Sequence, residues 1–288
     1  MVIGLSLSVL ASEISFRAEH QGFPLLTADL SDIPQSVTHD ATRLADELFA
    51  DTQEKYNGFV SQLVGAYLEA QGKDFVVVFN SGGWGWNTID TSPGWQSILY
   101  GIESELGSSG YTTLLLNYQR TVDNLWGRLD EAKEMITGSS AKATYLAYRV
   151  NFLTTHIADL KVIIAGESNG TIICDQAMVI LTDNPQVYSI QTGHPFWHEN
   201  ITLKRTLVLT DNGITPDSFS NGHFLTMARA NLIALFSLLE PEDAHGTIGH
   251  VVRAPGHDYR WQHPRVYSQI EDFLNKNFGV KGQVLSGG

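Results

Sequence analysis

Short apolar runs without polar alternation recur along this chain, and a helical pattern separates most of them from the next. The runs at 74–79, 112–116 and 161–165 read DFVVVF, TTLLL and KVIIA. Such runs are typical of strands that are buried on both faces of a sheet. Two further runs, 187–191 and 206–210, are also interpreted as strands. Strands that alternate with helices predict βαβ crossovers and a parallel sheet, so we expect an α/β fold.

The helical patterns fill the intervals between these runs. The spacing of apolar residues from His39 to Gly72 predicts a helix that is broken near Tyr56-Asn57-Gly58. Further elements are expected as helices at 93–106, 141–156, 170–181, 222–239 and 265–278 and as a last short strand at 250–253. The connections are too short to contain an inserted domain. Residues 39–288 are therefore interpreted as a single domain and residues 1–38 as an N-terminal extension.

Composition excludes several classes of protein. Of the 288 residues, 43% are hydrophobic, which excludes a disordered chain. The 31 acidic and 18 basic residues give a net charge of −13, so a nucleic-acid partner is not expected. The single cysteine, Cys174, excludes an intrachain disulfide and a zinc site built from several cysteines.

Residues 2–11 form an apolar run at the N-terminus. The run is too short to span a bilayer, and no Lys or Arg precedes it as in a secretory signal. It is interpreted as a surface strand or loose tail, with the trimmed remnant of a signal or membrane anchor as the alternative. The first interpretation predicts a cytoplasmic protein and the second an exported or membrane-tethered one. Any contact with a membrane is expected through this segment alone.

The segment 166–170 reads Gly-Glu-Ser-Asn-Gly and matches G-x-S-x-G. It lies between a predicted strand and a predicted helix, which is the context of a nucleophile elbow. In that motif a serine occupies a strained turn, and the flanking glycines let the strand and the helix approach closely. The alternative is an ordinary turn whose serine caps the helix. Ser168 is the candidate nucleophile.

A serine nucleophile needs a base and a carboxylate that orients it. His257 follows the last predicted strand and precedes the last helix, so it is the candidate base. Two aspartates compete for the third position, on the loop after strand 206–210. Asp211 directly follows the strand and is preferred, whereas Asp217 follows Pro216 and is the alternative, since it could instead cap a helix.

Acyl transfer also needs backbone N–H groups that bind the developing oxyanion. The residue after the nucleophile, Asn169, is one candidate donor. The loop 80–86 reads NSGGWGW and follows the first buried strand, and its Gly82 and Gly83 are the other candidates because glycine lets the backbone approach a substrate. The loop lacks the ending of a phosphate-binding P-loop.

These elements resemble the α/β-hydrolase family of serine esterases and lipases over about residues 74–278. Ser168, Asp211 or Asp217, and His257 match the family's nucleophile, acid and base in chain order. NSGGW is similar to its HGGGW oxyanion loop, with Asn80 in place of the histidine. The resemblance implies three layers, with helices on both faces of a mostly parallel sheet of about eight strands. It also implies serine chemistry without a cofactor or a metal.

The residues and the resemblance together predict a serine hydrolase that cleaves a carboxylic ester or a related acyl substrate through an acyl-enzyme. The expected partner is therefore a small acyl molecule. The alternatives are a catalytically inactive binding protein with the same fold, or a metal-dependent hydrolase that uses some of the ten histidines.

The segment between strands 187–191 and 206–210 is short, so a large lid over the substrate is not expected. Without a lid, long acyl chains stay partly in water and lose about 0.8 kcal/mol for each CH₂ left unburied. We therefore predict short or medium acyl groups, in a pocket lined in part by Trp84, Trp86 and Trp197.

His194 and His198 have the spacing of a zinc-binding pair. Pro195 between them opposes a regular helix, and the glutamate of H-E-x-x-H is absent. A packed loop is therefore expected here, and no metal site.

Overall fold

The computed structural model describes residues 23–24, 33–121, 141–198, 201, 203–236, 247–248 and 252–282. Its strands are β1 (Phe75–Asn80), β2 (Thr113–Asn117), β3 (Lys161–Glu167), β4 (Val187–Thr192), β5 (Thr206–Leu209), β6 (Thr247–Ile248) and β7 (Val252–Arg253). Its helices are α1 (Gln35–Phe49), α2 (Gln53–Ala70), α3 (Pro93–Ser108), α4 (Ala141–His156), α5 (Gly170–Ile180), α6 (Phe224–Phe236) and α7 (Pro264–Asn277).

The first five strands form one parallel sheet in the order β2-β1-β3-β4-β5. All six residues of β1 are buried, as the continuous apolar run predicts. Val76 and Val78 pack into a core with α1, α2, α4 and α5. The alternate residues Phe75, Val77 and Phe79 pack into a second core with α3 and α7. Helices therefore cover both faces of the sheet.

The protein thus has a mixed α/β fold with a five-stranded parallel sheet flanked by helices, consistent with an α/β-hydrolase-like fold. The eight strands that the resemblance implies are not confirmed. In the part of the chain that the structure describes, β6 and β7 form a separate antiparallel ribbon. The short strand predicted at 250–253 is confirmed over its described residues, Val252–Arg253, and it pairs in this ribbon rather than in the parallel sheet.

The predicted break in the first helical region lies earlier than expected. The chain leaves the helical conformation between α1 and α2, where Thr52 is extended with φ −137°, and Tyr56-Asn57-Gly58 is helical. A glycine inside a helix costs only about 1 kcal/mol, which packing of the α2 residues Phe59 and Leu63 into the core offsets. The sequence signal at Gly58 was therefore too weak to end a helix.

The N-terminal region is only partly described. Helix α1 begins at Gln35, and Ile33 and Val37 are buried in the core, so ordered structure starts before residue 39. The apolar run 2–11 lies outside the described residues, and the division at residue 38 stays a prediction. Among the described residues, no helix has both the length and the apolar character that crossing a membrane requires.

Two glycines of α3 provide a stability prediction with a matched control. A Cβ on Gly101 would lie 2.1 Å from the Trp261 ring, whereas a Cβ on Gly107 would meet nothing within 4 Å. We expect Gly101→Ala to lower the free energy of unfolding by about 1–3 kcal/mol through overpacking. Gly107→Ala should raise it by up to about 1 kcal/mol through helix propensity. Urea unfolding of both variants measures the difference, and equal shifts would contradict the packing of Trp261 on α3.

Candidate active site

The order of the strands opens a crevice at the carboxyl end of the sheet. Strand β1 lies between β2 and β3. The chain therefore passes from β1 to β2 on one side of it and then crosses to β3 on the opposite side. Loops diverge at such a switch point and leave a ligand-binding crevice outside the strand ends. The segment 81–86 follows β1 and Ser168 follows β3, so both lie at this crevice.

Ser168 occupies the tight turn between β3 and α5. Its φ is +49°, in the left-handed region that is strained for a residue with a side chain. A Cβ on Gly166 would lie 2.6 Å from Cys174 Sγ. A Cβ on Gly170 would lie 2.4 Å from the Asn80 carbonyl oxygen. Both glycines of the motif are therefore required by space, and the turn has the backbone geometry of a nucleophile elbow.

His257 is paired with a buried carboxylate. Its Nδ1 lies 2.9 Å from Asp217 Oδ2, and the Ser220 and Tyr259 hydroxyls each donate to the same oxygen at 2.8 Å. Burial raises the pKa of Asp217, but the hydrogen bonds from His257 and Tyr259 outweigh it and leave the pKa below the ordinary value. An ionised carboxylate thus holds the ring by Nδ1, and Nε2 is the nitrogen left to exchange a proton.

Asp211, the aspartate preferred from the sequence, does not pair with His257. Its Oδ2 lies 2.5 Å from Arg265 Nη1 in a partly exposed ion pair. An antiparallel bridge between Asp211 and Pro216 folds the loop back on itself. The turn leaves Asp211 beside α7 and brings Asp217 to His257. The preference for Asp211 is therefore corrected to Asp217 as the partner of the ring, and the catalytic role stays a prediction.

Ser168 and His257 both border the end of β4. The Ser168 N–H donates to the Thr192 carbonyl oxygen at 2.9 Å. The next residue, Gly193, lies against the imidazole, since a Cβ there would be 2.5 Å from His257 Cε1. Among the hydrogen bonds of the described residues, none joins the Ser168 hydroxyl to the ring. Catalytic hydrogen bonds are often long before substrate binds.

The three candidate oxyanion donors are not equivalent. The Gly82 N–H donates to Glu167 Oε2 at 3.0 Å, so it is already used. Within the described part of the chain, the N–H groups of Gly83 and Asn169 have no acceptor. The Asn169 side chain also donates to the Gly83 carbonyl oxygen at 3.2 Å, which links the two backbones. The N–H groups of Gly83 and Asn169 thus differ from that of Gly82, and their role as oxyanion donors stays a prediction.

Residues 119–121, which follow β2, hold the loop 81–86 by its carbonyl groups. The Gln119 side chain donates to the Trp86 carbonyl oxygen, and the Thr121 hydroxyl donates to that of Trp84. The Arg120 guanidinium donates to the Ser81 carbonyl oxygen, and the Arg120 backbone N–H donates to that of Gly85. Because these bonds use carbonyl oxygens, they fix the backbone without consuming its N–H groups. A donor fixed in this way does not have to reorganise when charge develops on a substrate.

Comparisons with known proteins add little to this geometry. No family model matches the chain, and no curated protein matches it. One similar solved structure is Trichoderma reesei cutinase in complex with a C11Y4 phosphonate inhibitor, at 13% identity and a TM-score of 0.33. The match covers 70% of this chain and 82% of the cutinase chain. This likeness is too low to carry an argument, so the function has to follow from the chain's own residues.

Aromatic residues lie on two of the loops that follow the sheet strands. The Trp84 and Trp86 rings, on the loop after β1, are stacked at 6.4 Å and 14°. Trp197, on the loop after β4, is half exposed and packs edge-on against Phe219 at 5.1 Å. Phe219 in turn contacts the His257 ring at 4.9 Å. Trp197 is thus connected to the imidazole through one intervening ring, while its role in binding a substrate stays a prediction.

Two residues that hold Asp217 were not among the candidates from the sequence. The contact of Ser220 is local in sequence and could have been predicted, because an aspartate often forms an Asx turn with the residues that follow it. Here Asp217 Oδ1 accepts the backbone N–H groups of Phe219 and Ser220. Tyr259 has no such signal, because its hydroxyl reaches Asp217 only through the tertiary fold.

Proposed function

We propose that this protein is a serine hydrolase that cleaves a carboxylic ester or a related acyl substrate through an acyl-enzyme. The observation that carries the proposal is a serine in a strained strand–turn–helix at the switch point, across the end of β4 from the His257–Asp217 pair. The two unpaired amides of Gly83 and Asn169 further support it, since acyl transfer needs donors for a developing oxyanion.

Each proposed step uses one of these groups. Ser168 Oγ attacks the carbonyl carbon while His257 Nε2 takes its proton, and Asp217 stabilises the imidazolium through Nδ1. The Gly83 and Asn169 N–H groups bind the oxyanion. The bond to the leaving group then breaks as the imidazolium returns the proton to it. Water cleaves the acyl-enzyme by the same proton route in reverse, which frees the carboxylic acid and Ser168.

The proposed substrates are esters with short or medium acyl chains. The segment between β4 and β5 is short, and Trp197 on it remains half exposed. Each methylene that stays in water contributes none of the about 0.8 kcal/mol that burial of a CH₂ provides. We therefore expect kcat/KM for p-nitrophenyl dodecanoate not to exceed that for the butyrate, whereas burial of the chain would raise it by roughly fourfold for each CH₂. Activation by long-chain triglyceride emulsions would contradict this substrate class.

Hydrolysis of p-nitrophenyl acetate and butyrate tests the function itself. The proposal predicts turnover that a fluorophosphonate abolishes, since that reagent phosphonylates an activated serine. A binding protein that has lost catalysis would give no turnover. A metal-dependent hydrolase would give turnover that the fluorophosphonate does not inhibit. Either result would overturn the proposed mechanism.

Gly193 is expected to control the position of the base. Gly193→Ala places a methyl group against His257 at a residue whose φ is +68°. A displacement of about 1 Å can cost about 10²-fold in rate, so we expect kcat for the butyrate ester to fall by about that factor. Gly72→Ala is the matched control, because Gly72 has φ +73° and open space around its Cβ position. It should lose some stability and no activity, and equal rates in the two variants would contradict the contact with His257.

A further inference from the structure

A second cluster of polar side chains connects the loop after β4 to helix α5. Asp175 Oδ2, from α5, lies 2.8 Å from His194 Nε2 and 3.2 Å from His198 Nε2. The two imidazole rings are 4.8 Å apart. Pro195 does not keep the histidines apart, because the His198 N–H donates to the Pro195 carbonyl oxygen at 3.0 Å in a turn. The turn therefore brings both imidazoles to one carboxylate oxygen, as an i, i+4 spacing on a regular helix would.

The cluster is almost closed to solvent. The side chains of Asp175 and His194 are 2% and 3% exposed, and that of His198 is 18% exposed. Asp175 Oδ1 accepts a hydrogen bond from Gln191 Nε2 at 2.8 Å, which fixes the carboxylate. Gln191 Oε1 is buried without a partner among the described residues. The cluster thus combines a fixed carboxylate with two imidazoles, of which only His198 is partly exposed to solvent. Gln191 Oε1 beside it is a further hydrogen-bond acceptor.

The separations fit the coordination sphere of a small cation. The three ligand atoms lie within 4.8 Å of one another. Zinc bonds of about 2.0–2.2 Å place tetrahedral ligands about 3.3 Å apart, close to the two shorter separations here. We propose that Asp175, His194 and His198 bind one divalent transition-metal ion, with Zn²⁺ as the best match to a set of two imidazoles and one carboxylate. The hydrogen bond from Gln191 Nε2 to Asp175 Oδ1 orients the carboxylate.

The ion would fasten the loop after β4 to helix α5. This loop also contains Gly193 against His257 and Trp197 against Phe219. Bound metal therefore restricts one wall of the crevice and takes no part in the chemistry at Ser168. The inference is independent of the proposed hydrolase function, since metal binding is measured without any substrate.

The test is calorimetric titration of chelator-treated full-length protein with ZnCl₂. We expect one saturable site per chain and a rise in thermal midpoint on binding. Addition of Co²⁺ should give the visible absorption of a tetrahedral complex. His198→Ala, at the most exposed ligand, should weaken binding by at least about tenfold, because even the loss of a residue that only hydrogen-bonds to a ligand costs that much. His39→Ala removes an exposed histidine of α1 and should bind as the wild type does.

The outcomes distinguish a metal-binding site from three side chains that only hydrogen-bond to one another. Asp175→Asn is a second variant that keeps the side-chain shape, and it should also bind at least about tenfold more weakly. The metal-free thermal midpoint of His198→Ala shows whether that variant is folded. No saturable binding by the wild type, or equal binding by wild type and folded His198→Ala, would overturn the proposal.

Discussion

Ser168→Ala is expected to lower kcat for p-nitrophenyl butyrate by about 10⁴-fold or more. The variant keeps the His257–Asp217 pair and the amides of Gly83 and Asn169, but it has no oxygen to attack the carbonyl carbon. The remaining rate comes from binding and oxyanion stabilisation alone. The measurement is steady-state hydrolysis at saturating ester, with thermal unfolding of both proteins to show that the fold survives.

Ser268→Ala is the matched control for this substitution. Ser268 is an exposed residue of α7 whose hydroxyl donates to the Arg265 carbonyl oxygen. Its loss should leave kcat unchanged. If Ser168→Ala retained a tenth of the wild-type rate, Ser168 would not be the nucleophile.

The second large effect separates the two aspartates. Asp217→Asn is expected to lower kcat by about 10⁴-fold, because an amide cannot hold the His257 tautomer or stabilise the imidazolium. Asp211→Asn removes a partly exposed ion pair with Arg265, which is worth at most about 1 kcal/mol of stability. Its kcat should stay within about threefold of the wild type, since only the outer loop changes.

The same steady-state assay compares both asparagine variants, with circular dichroism to confirm folding. Full activity of Asp217→Asn would remove the carboxylate from the mechanism. A large loss in Asp211→Asn alone would mean that the loop rearranges and presents the other aspartate to His257.

Local patterns in the sequence predict the central strands and the turn at Ser168. Continuous β-branched runs locate β1 and β3, and glycines with a serine between strand and helix locate the elbow at Ser168. The register of β1 and β3 then brings the loops that follow them to one crevice without further information.

The parts that the sequence does not predict depend on how loops turn. Asp211 and Asp217 follow the same strand, and only the bridge from Asp211 to Pro216 decides which one reaches His257. The Glu167 side chain that occupies the Gly82 N–H comes from a different strand. Likewise, the convergence of two histidines on a carboxylate of α5 is a tertiary event, and a proline between them hides it from spacing rules.

The residue that a fluorophosphonate modifies shows directly whether Ser168 is the nucleophile. The wild-type protein is incubated with the reagent, digested, and examined by peptide mass spectrometry. We expect one phosphonylated residue, Ser168, and no labelling of Ser168→Ala under the same conditions. A label on any other residue, or ester hydrolysis by a protein that takes up no label, would contradict it.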